Sequence, residues 1–408
     1  MTIEYLSSRL SPVKPSASAW VSQAARELQA QGHDVIDMGL GEPDFATPDH
    51  IIEAAYLAAK NGETKYPPND GTAAMKQAVM TKFARDNQID VQSNEILISN
   101  GAKQIIFNAL MASLEPESEV LLCAPYFGQY KDMVLILGGR PKEIECYAQD
   151  AFLITAEKLE AAITPQSKWL ILNSPSNPAG ATYTAEQLQD LAAVLKRHPH
   201  LMVMSDEIYE HIVFDDFKFV SFASACPELR ERTLIVNGVS KAYAMTGWRI
   251  GYCAGPSALI AGMNKVQSQI SSGACSIAQA AAAQALNGPQ DSVEEFRLAF
   301  QQRRNFMLER VNKIDGLRLD APRGAFYAYV ACHAFIGAQT PDGEVINDDV
   351  AFTQYLLNDA KVATVPGSAY GLSPFFRLST ATSEQILSNA MDRIAASTAK
   401  LIRSSSNE

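Results

Sequence analysis

Cysteine is scarce and poorly placed for chemistry. Six are scattered at 123, 146, 226, 253, 275 and 332 in a chain of 408 residues. No two stand as C-x-x-C, which excludes a zinc ribbon and a dithiol redox motif. Several lie in apolar strand-like runs, where a thiol acts as a small core hydrophobe. Positive charge is in deficit: 34 Lys and Arg against 45 Asp and Glu give a net charge of −11. Nucleic acid and anionic membranes both require a basic face, so neither is expected as a partner. A local basic pocket for a small anion stays open. No apolar run approaches the ~20 residues that cross a bilayer, and the N-terminus lacks the basic stretch and apolar core of a secretory signal. The expectation is a cytoplasmic protein. His198 and His200 sit in a Pro-containing loop with no acidic or cysteine partner beside them, so no metal is expected. Internal repeats and low-complexity segments are missing as well.

What is present is ordinary globular material, 47% hydrophobic and 19% charged. The length exceeds what one small core organises, so two domains are expected. From residue 95 a pattern recurs: a short apolar run, a polar turn, then a helix. Runs at Glu95–Ser99, Glu119–Cys123, Lys168–Leu172, Leu201–Met204 and Thr233–Val236 read as strands. Thr184 with Gln187 three residues on reads as a capping box opening a helix. Apolar strands alternating with helices predict an α/β fold with a mainly parallel sheet covered by helices. After about residue 290 the pattern changes to a helix from Ser292, strands at Ala325–Val330, Val362–Val365 and Phe375–Leu378, and a last helix capped by Thr382 and Gln385. That is a smaller α+β domain, joined by the N-terminal arm. The expected division is 1–47 for the arm and part of the small domain, 48–290 for the large domain, and 291–408 for the small C-terminal domain.

In a parallel sheet, ligands gather at the carboxyl ends of the strands, and the unusual polar clusters all fall there. Ser240 and Lys241 follow the run Thr233–Val236, and Arg249 stands eight residues on, before the β-like run Ile250–Ala254. A lysine at a buried strand end is desolvated, which frees its amine to attack a carbonyl. The flanking hydroxyl and guanidinium suit a phosphate. Alone, a Ser-Lys pair reads as ordinary surface; with a phosphate cradle beside it, it points to a Schiff base with pyridoxal phosphate. Asp206 would keep the ring nitrogen of that cofactor protonated; its other reading is a turn or helix-cap aspartate. Tyr209 and Asn177 would reach the ring oxygen. Phe127 offers a stacking face, or is a core aromatic. Gly101 and Ala102 open a helix, whose N-terminus suits the phosphate. Arg377, inside the apolar run Phe375–Leu378, is a cation that needs a partner: a substrate carboxylate, or an internal Asp or Glu.

Taken together these residues resemble the class I aminotransferases, the aspartate aminotransferase superfamily. The likeness runs from Lys14-Pro15-Ser16 through Gly41-Glu42-Pro43-Asp44-Phe45, Lys65-Tyr66, Asn100-Gly101-Ala102-Lys103-Gln104, Asn177-Pro178, Ser205-Asp206-Glu207-Ile208-Tyr209 and Ser240-Lys241 to Pro366-Gly367-Ser368 and Arg377. It implies the type I fold of pyridoxal-phosphate enzymes, with Lys241 as the covalent anchor and proton carrier. Asp206, Tyr209, Asn177, Ser240, Arg249, Gly101, Ala102, Lys103 and Phe127 would bind the cofactor. Tyr66 would reach the phosphate of a neighbouring subunit, in a homodimer with shared sites. Gly41 would offer its backbone to the substrate, and Arg377 its guanidinium to the α-carboxylate.

Within the family the chain looks most like the bacterial aspartate aminotransferases, some of which accept prephenate. Lys14 and Lys103 match lysines that meet the distal carboxylate there. The expected reaction moves an amino group between an L-amino acid, aspartate or glutamate, and a 2-oxo acid. Two departures bear on the substrate: Phe127 stands where that branch usually has tryptophan, and residues 333–349 form an expanded segment. The alternatives are an aminotransferase of other specificity (prephenate, aromatic or alanine) and β-elimination on the same fold.

Overall fold

The computed structural model describes residues 5–403. A two-residue strand, β1 (Ile36–Asp37), precedes the central sheet. That sheet takes β2 (Ile96–Ser99), β3 (Glu119–Ala124), β4 (Arg140–Glu145), β5 (Ser167–Asn173), β6 (Met202–Asp206), β7 (Thr233–Gly238) and β8 (Gly251–Ala254). Their spatial order is β2-β8-β7-β6-β5-β3-β4. All neighbours are parallel except β8, which runs antiparallel to both β2 and β7. The α/β fold with a mainly parallel sheet is thus the one expected.

Burial explains why the interior strands were readable. β2, β7 and β8 are buried at every position, and β5 and β6 nearly so, because helices cover both faces. On one face Ala102–Ser113 and Ser257–Ile270 pack together over Leu97, Val120, Leu122, Trp169 and Met204. On the other, Ala185–Arg197 lays Leu188, Leu191 and Leu195 against Leu121, Leu170 and Val203. Its N-terminus carries the Thr184–Gln187 capping box. The edge strand β4, Arg-Pro-Lys-Glu-Ile-Glu, was not evident in the sequence. It is half-exposed, and a charged, Pro-containing strand is tolerated only at an edge. The helices Ser257–Ile270 and Ser276–Asn287 were likewise unassigned.

Two orientations bring the polar turns to one side. The parallel strands deliver their carboxyl ends there, with Asn173, Asp206 and Val236 in register across β5, β6 and β7. β8, being antiparallel, delivers its start. Arg249, just before it, therefore joins residues that follow the other strands.

The C-terminal part holds a second sheet, order β11-β12-β9, from β9 (Tyr327–Ala331), β11 (Val365–Pro366) and β12 (Phe375–Ser379), all antiparallel. Asp291–Asn312 and Glu384–Thr398 pack beside it around Met307, Val330, Phe352, Leu378 and Ile394. The expected strand Val362–Val365 is two pieces. β10 (Val362–Ala363) pairs in parallel with β1, and β11 pairs with β12. Local β-propensity cannot reveal a change of partner across the single residue Thr364. The cap of the last helix also differs. Ser383, not Thr382, is the N-cap, and its hydroxyl accepts from the Ile386 N–H at 3.3 Å. Two adjacent hydroxyl residues compete for that position, and the backbone turn decides.

Candidate active site

A cavity of about 380 Å³ opens at the strand ends. Lys241, Asp206, Tyr209, Asn177, Ser240, Arg249, Ala102, Lys103, Phe127, Gly41 and Arg377 all line it. They come from eight separated stretches of chain. Gly101 stands directly behind, as the N-cap of Ala102–Ser113 with φ +86°. Two expected residues lie apart: Lys14 is exposed and does not line the cavity, and Tyr66 is 91% exposed. The segment 333–349 does not line it either. It folds back through a Gln339–Val345 bridge and is tied to Ile402 near the C-terminus.

Lys241 is half-buried, and its Nζ donates to the Gly41 carbonyl at 2.6 Å. Burial, then the positive charge of Arg377, lowers its pKa from the usual lysine value to about 8. An amine so placed is neutral in an appreciable fraction near pH 7, as a nucleophilic lysine requires.

Asp206 is buried at the end of β6. Burial pushes its carboxyl up to about 6, against the opposing pull of the Tyr130 hydroxyl, the Ile208 N–H and the charge of Lys241. Oδ2 accepts from Tyr130, and Oδ1 accepts from Ile208 N at 3.3 Å. The turn reading of this aspartate is met by the Ile208 contact, and its carboxyl also lines the cavity. Asn173, at the end of β5, donates to the Asp206 carbonyl at 2.9 Å and accepts from the Asn177 N–H at 2.8 Å. The two residues thus share one anchor.

Arg377 is 2% exposed. Its partners are neutral: Asn177 Oδ1 at 2.9 Å, the Gly39 carbonyl and the Ser18 hydroxyl. The guanidinium lies 4.5 Å from the ring centre of Tyr327 and 5.1 Å from that of Tyr370. Nε has no hydrogen-bond partner among the described residues. A buried cation held only by dipoles and rings has electrostatic capacity left for an anion. The internal carboxylate left open by the sequence is not what holds it.

Also lining the cavity, Arg249 donates from Nη1 to the Thr246 carbonyl at 2.8 Å. A Cβ on Gly101 would come within 2.3 Å of Arg249 Nη2, and one on Gly251 within 2.3 Å of the Ala102 N. Glycine is required here because helix start, guanidinium and β8 converge. Phe127 is half-buried, meets Tyr130 edge-on at 5.4 Å, and carries Lys103 Nζ 5.5 Å from its ring centre. Lys103 itself stays exposed; partial desolvation, then Arg249, holds its pKa below the ordinary value.

Tyr130, Asn173 and Tyr327 were not singled out in the sequence. Tyr327 follows Phe326 in an apolar strand run, where a tyrosine reads as an ordinary core aromatic. Tyr130 sits three residues after Phe127, and the two are brought together by the turn leading into Gln129–Ile136, where the Tyr130 N–H donates to the Phe127 carbonyl at 2.9 Å.

Residues 33–394 match the model of a family described as aminotransferase class I and II. The chain belongs to that family. It is an aminotransferase. The aspartate aminotransferase of Rhizobium meliloti strain 1021 is 51% identical over 394 residues, 97% of this chain and 96% of that one. An aspartate/prephenate aminotransferase of Cereibacter sphaeroides is 49% identical over 96% of this chain and 98% of its own. Among solved structures, the Rhizobium meliloti aspartate aminotransferase superposes with a TM-score of 0.95, covering 98% of this chain and all of that one. A Thermus thermophilus aspartate aminotransferase with maleate gives 0.90 at 39% identity, covering 97% of this chain and 100% of that one. Among the described residues no helix is long and apolar enough to cross a membrane.

Proposed function

We propose that this aminotransferase works with pyridoxal phosphate and exchanges the amino group of aspartate or glutamate with a 2-oxo acid. The observation that carries the reading is the pairing of Lys241, an amine with its pKa lowered to about 8, with Arg377, a buried cation bound only to neutral groups, in one cavity. The donor set fits the cofactor. A buried carboxyl, Asp206, faces the cavity from one side, and a helix N-terminus with Arg249 and Ser240 from the other.

Pyridoxal phosphate, when bound, supplies an electron sink for the pair left behind when a Cα–H bond breaks. This chain's residues do the rest. Asp206 holds a proton on the ring nitrogen, and Tyr130 and Ile208 fix its two oxygens. Tyr209 and Asn177 serve the ring oxygen. The amides at Gly101 and Ala102, with Ser240 and Arg249, hold the phosphate. Arg377 binds the α-carboxylate and so directs the Cα proton toward Lys241, whose amine takes it up and returns it. Phe127 covers the ring.

For the side chain, Lys103 in the cavity lining is the first candidate cation, and Lys14, which does not line the cavity, is the second. A dicarboxylate would then lie between Arg377 and Lys103. Relatives named for aspartate support this, as does the Thermus enzyme with maleate, itself a dicarboxylate. Relatives named for both aspartate and prephenate favour a second reading, in which the cavity also admits prephenate. Phe127 removes an indole N–H without changing the aromatic face.

We also propose a homodimer in which Tyr66, 91% exposed in the single chain, reaches the partner's phosphate site, with Ile52 and Tyr56 exposed nearby in sequence. The division at 47/48 and 290/291, and a cytoplasmic location, belong to the same reading.

The test is a half-reaction. Holoenzyme is mixed with single amino acids while the visible band of the bound cofactor is followed to its amine form. Fast conversion with aspartate and glutamate, slowed in Lys103→Ala, supports the dicarboxylate reading. Fast conversion with alanine or aromatic donors alone would sink it, and pyruvate with ammonia from a β-substituted donor would mark elimination.

A further inference from the structure

Tyr209 and Tyr327 touch through their hydroxyls, 2.8 Å apart, with both side chains buried. A hydroxyl carries one proton, so in such a pair one oxygen donates and the other accepts. Nothing within the pair itself sets the direction. It is set by where the second proton goes. In the function proposed above, on which this inference rests, Tyr209 spends its proton on the cofactor's ring oxygen. Tyr209 can then only accept from its neighbour.

We infer that Tyr327 is a positioning residue: its hydroxyl donates to Tyr209, and so commits the single Tyr209 proton to the cofactor. The surroundings hold Tyr327 to that task. Its oxygen lies 2.5 Å from where a Cβ on Gly41 would stand, so only glycine at 41 leaves room for the hydroxyl in this position. The Tyr209 and Tyr327 rings cross at 81° with centroids 5.8 Å apart. The face of Tyr327 lies against the guanidinium of Arg377, 4.5 Å from its centre. One side chain thus touches the lysine's carbonyl partner Gly41, the group that serves the ring oxygen, and the group that serves the carboxylate. Its hydroxyl and its ring do separable jobs.

That separation provides the test. Tyr327→Phe keeps the ring under Arg377 and removes the hydroxyl. Without it the Tyr209 oxygen is left a buried, unsatisfied acceptor and its proton is no longer directed. A weaker hydrogen bond at the ring oxygen leaves the neighbouring lysine-bound nitrogen holding its proton more tightly. The pH midpoint of the visible cofactor band in the holoenzyme should therefore rise, by on the order of 0.7 unit for one neutral hydrogen bond. KM for the amino donor should stay within about twofold, because a hydrogen bond outside the substrate adds no ground-state binding. Tyr327→Leu, which also removes the ring, should raise KM as well. Tyr209→Phe is the reference and should move the midpoint at least as far. A Tyr327→Phe midpoint equal to that of the unaltered enzyme, while Tyr209→Phe shifts, overturns the positioning role and leaves the proposed function standing. No shift in Tyr209→Phe overturns the assignment of Tyr209 and the inference with it. Should Tyr327→Phe fold poorly, Gly41→Ala pushes the same hydroxyl aside and is expected to move the midpoint in the same direction.

Discussion

Asn177 and Arg377 stand 200 positions apart in the chain, and Arg377 Nη1 donates to Asn177 Oδ1 at 2.9 Å. Asn177 is anchored in turn by Asn173, which also holds the Asp206 carbonyl. The carboxylate end and the ring-nitrogen end of the site therefore share a frame. Arg377→Met is expected to lower kcat/KM by on the order of a hundredfold to a thousandfold, the worth of one or two charge-assisted hydrogen bonds. An amine lacking the α-carboxylate should react at the same slow rate in both enzymes. Equal losses for both substrates would mean that Arg377 is structural.

Asp206 is destabilising where it is most useful. Its folded pKa, about 6, lies above that of a free aspartate. The unfolded chain is thus the more ionised between about pH 4 and pH 6, and the apoprotein gains stability as pH falls through that window. The gain is about 2–3 kcal/mol if the whole shift is realised. Asp206→Asn should remove this part of the pH dependence, melt no lower than the parent at pH 7 as apoprotein, and lose nearly all transamination. Parallel melting curves against pH for the two apoproteins would count against a raised Asp206 pKa.

Lys241 should betray its lowered pKa in the apoprotein. The rate of cofactor capture depends on the neutral amine, so it should climb about tenfold per unit below pH 7 and level off above about 8. A rate still climbing toward pH 10 would indicate an ordinary lysine. Stopped-flow absorbance on apoprotein distinguishes the two.

Behind the lysine turn lies a buried ion pair, Lys82 with Glu210, with side chains 0% and 2% exposed. Burial raises the Glu210 pKa, but Lys82, His211 and Asn87 outweigh it and hold the carboxyl at about 2. Asn237, at the end of β7, donates to Glu210 Oε1 at 2.6 Å, so the pair also fixes the strand from which Lys241 departs. Lys82→Met takes the ammonium from a buried carboxylate that Asn87 and Asn237 still hydrogen-bond, and is expected to cost up to about 3–5 kcal/mol. Adding Glu210→Leu should recover part of that, as urea unfolding would reveal. If the double variant is no more stable than the single one, the pair is not a desolvated unit.

Gly101→Ala places a Cβ against Arg249 and a side chain at φ +86°. The affinity for pyridoxal phosphate should fall tenfold or more, since strain of this kind costs about 1–3 kcal/mol. Affinity for pyridoxal, which lacks the phosphate, should change little. An equal loss for both ligands would separate Gly101 from the phosphate.

The sequence by itself determined the period of the elements and the residues at the strand ends. Continuous apolar runs such as Thr233–Val236 read as strands covered on both faces, and a turn such as Asn100-Gly101 stops β2 where polar side chains can collect, although β7 runs on through Asn237-Gly238. Lys241, Asp206 and Arg377 were legible for that reason, each a charged group in or just after an apolar run, whereas Asn177 stood in the polar turn 173–178 that ends one. Tertiary structure alone decided what those partners are. Tyr130 reaches Asp206 across 76 positions, and Tyr327 reaches Tyr209 across 118. Nothing local marks either tyrosine, because a buried hydroxyl is chosen by the group opposite it. The same holds for β4, permitted by its place at the edge, and for the split between β10 and β11, set by which neighbours offer free backbone groups. Periodicity is a property of a segment. Partnership is a property of the packed whole.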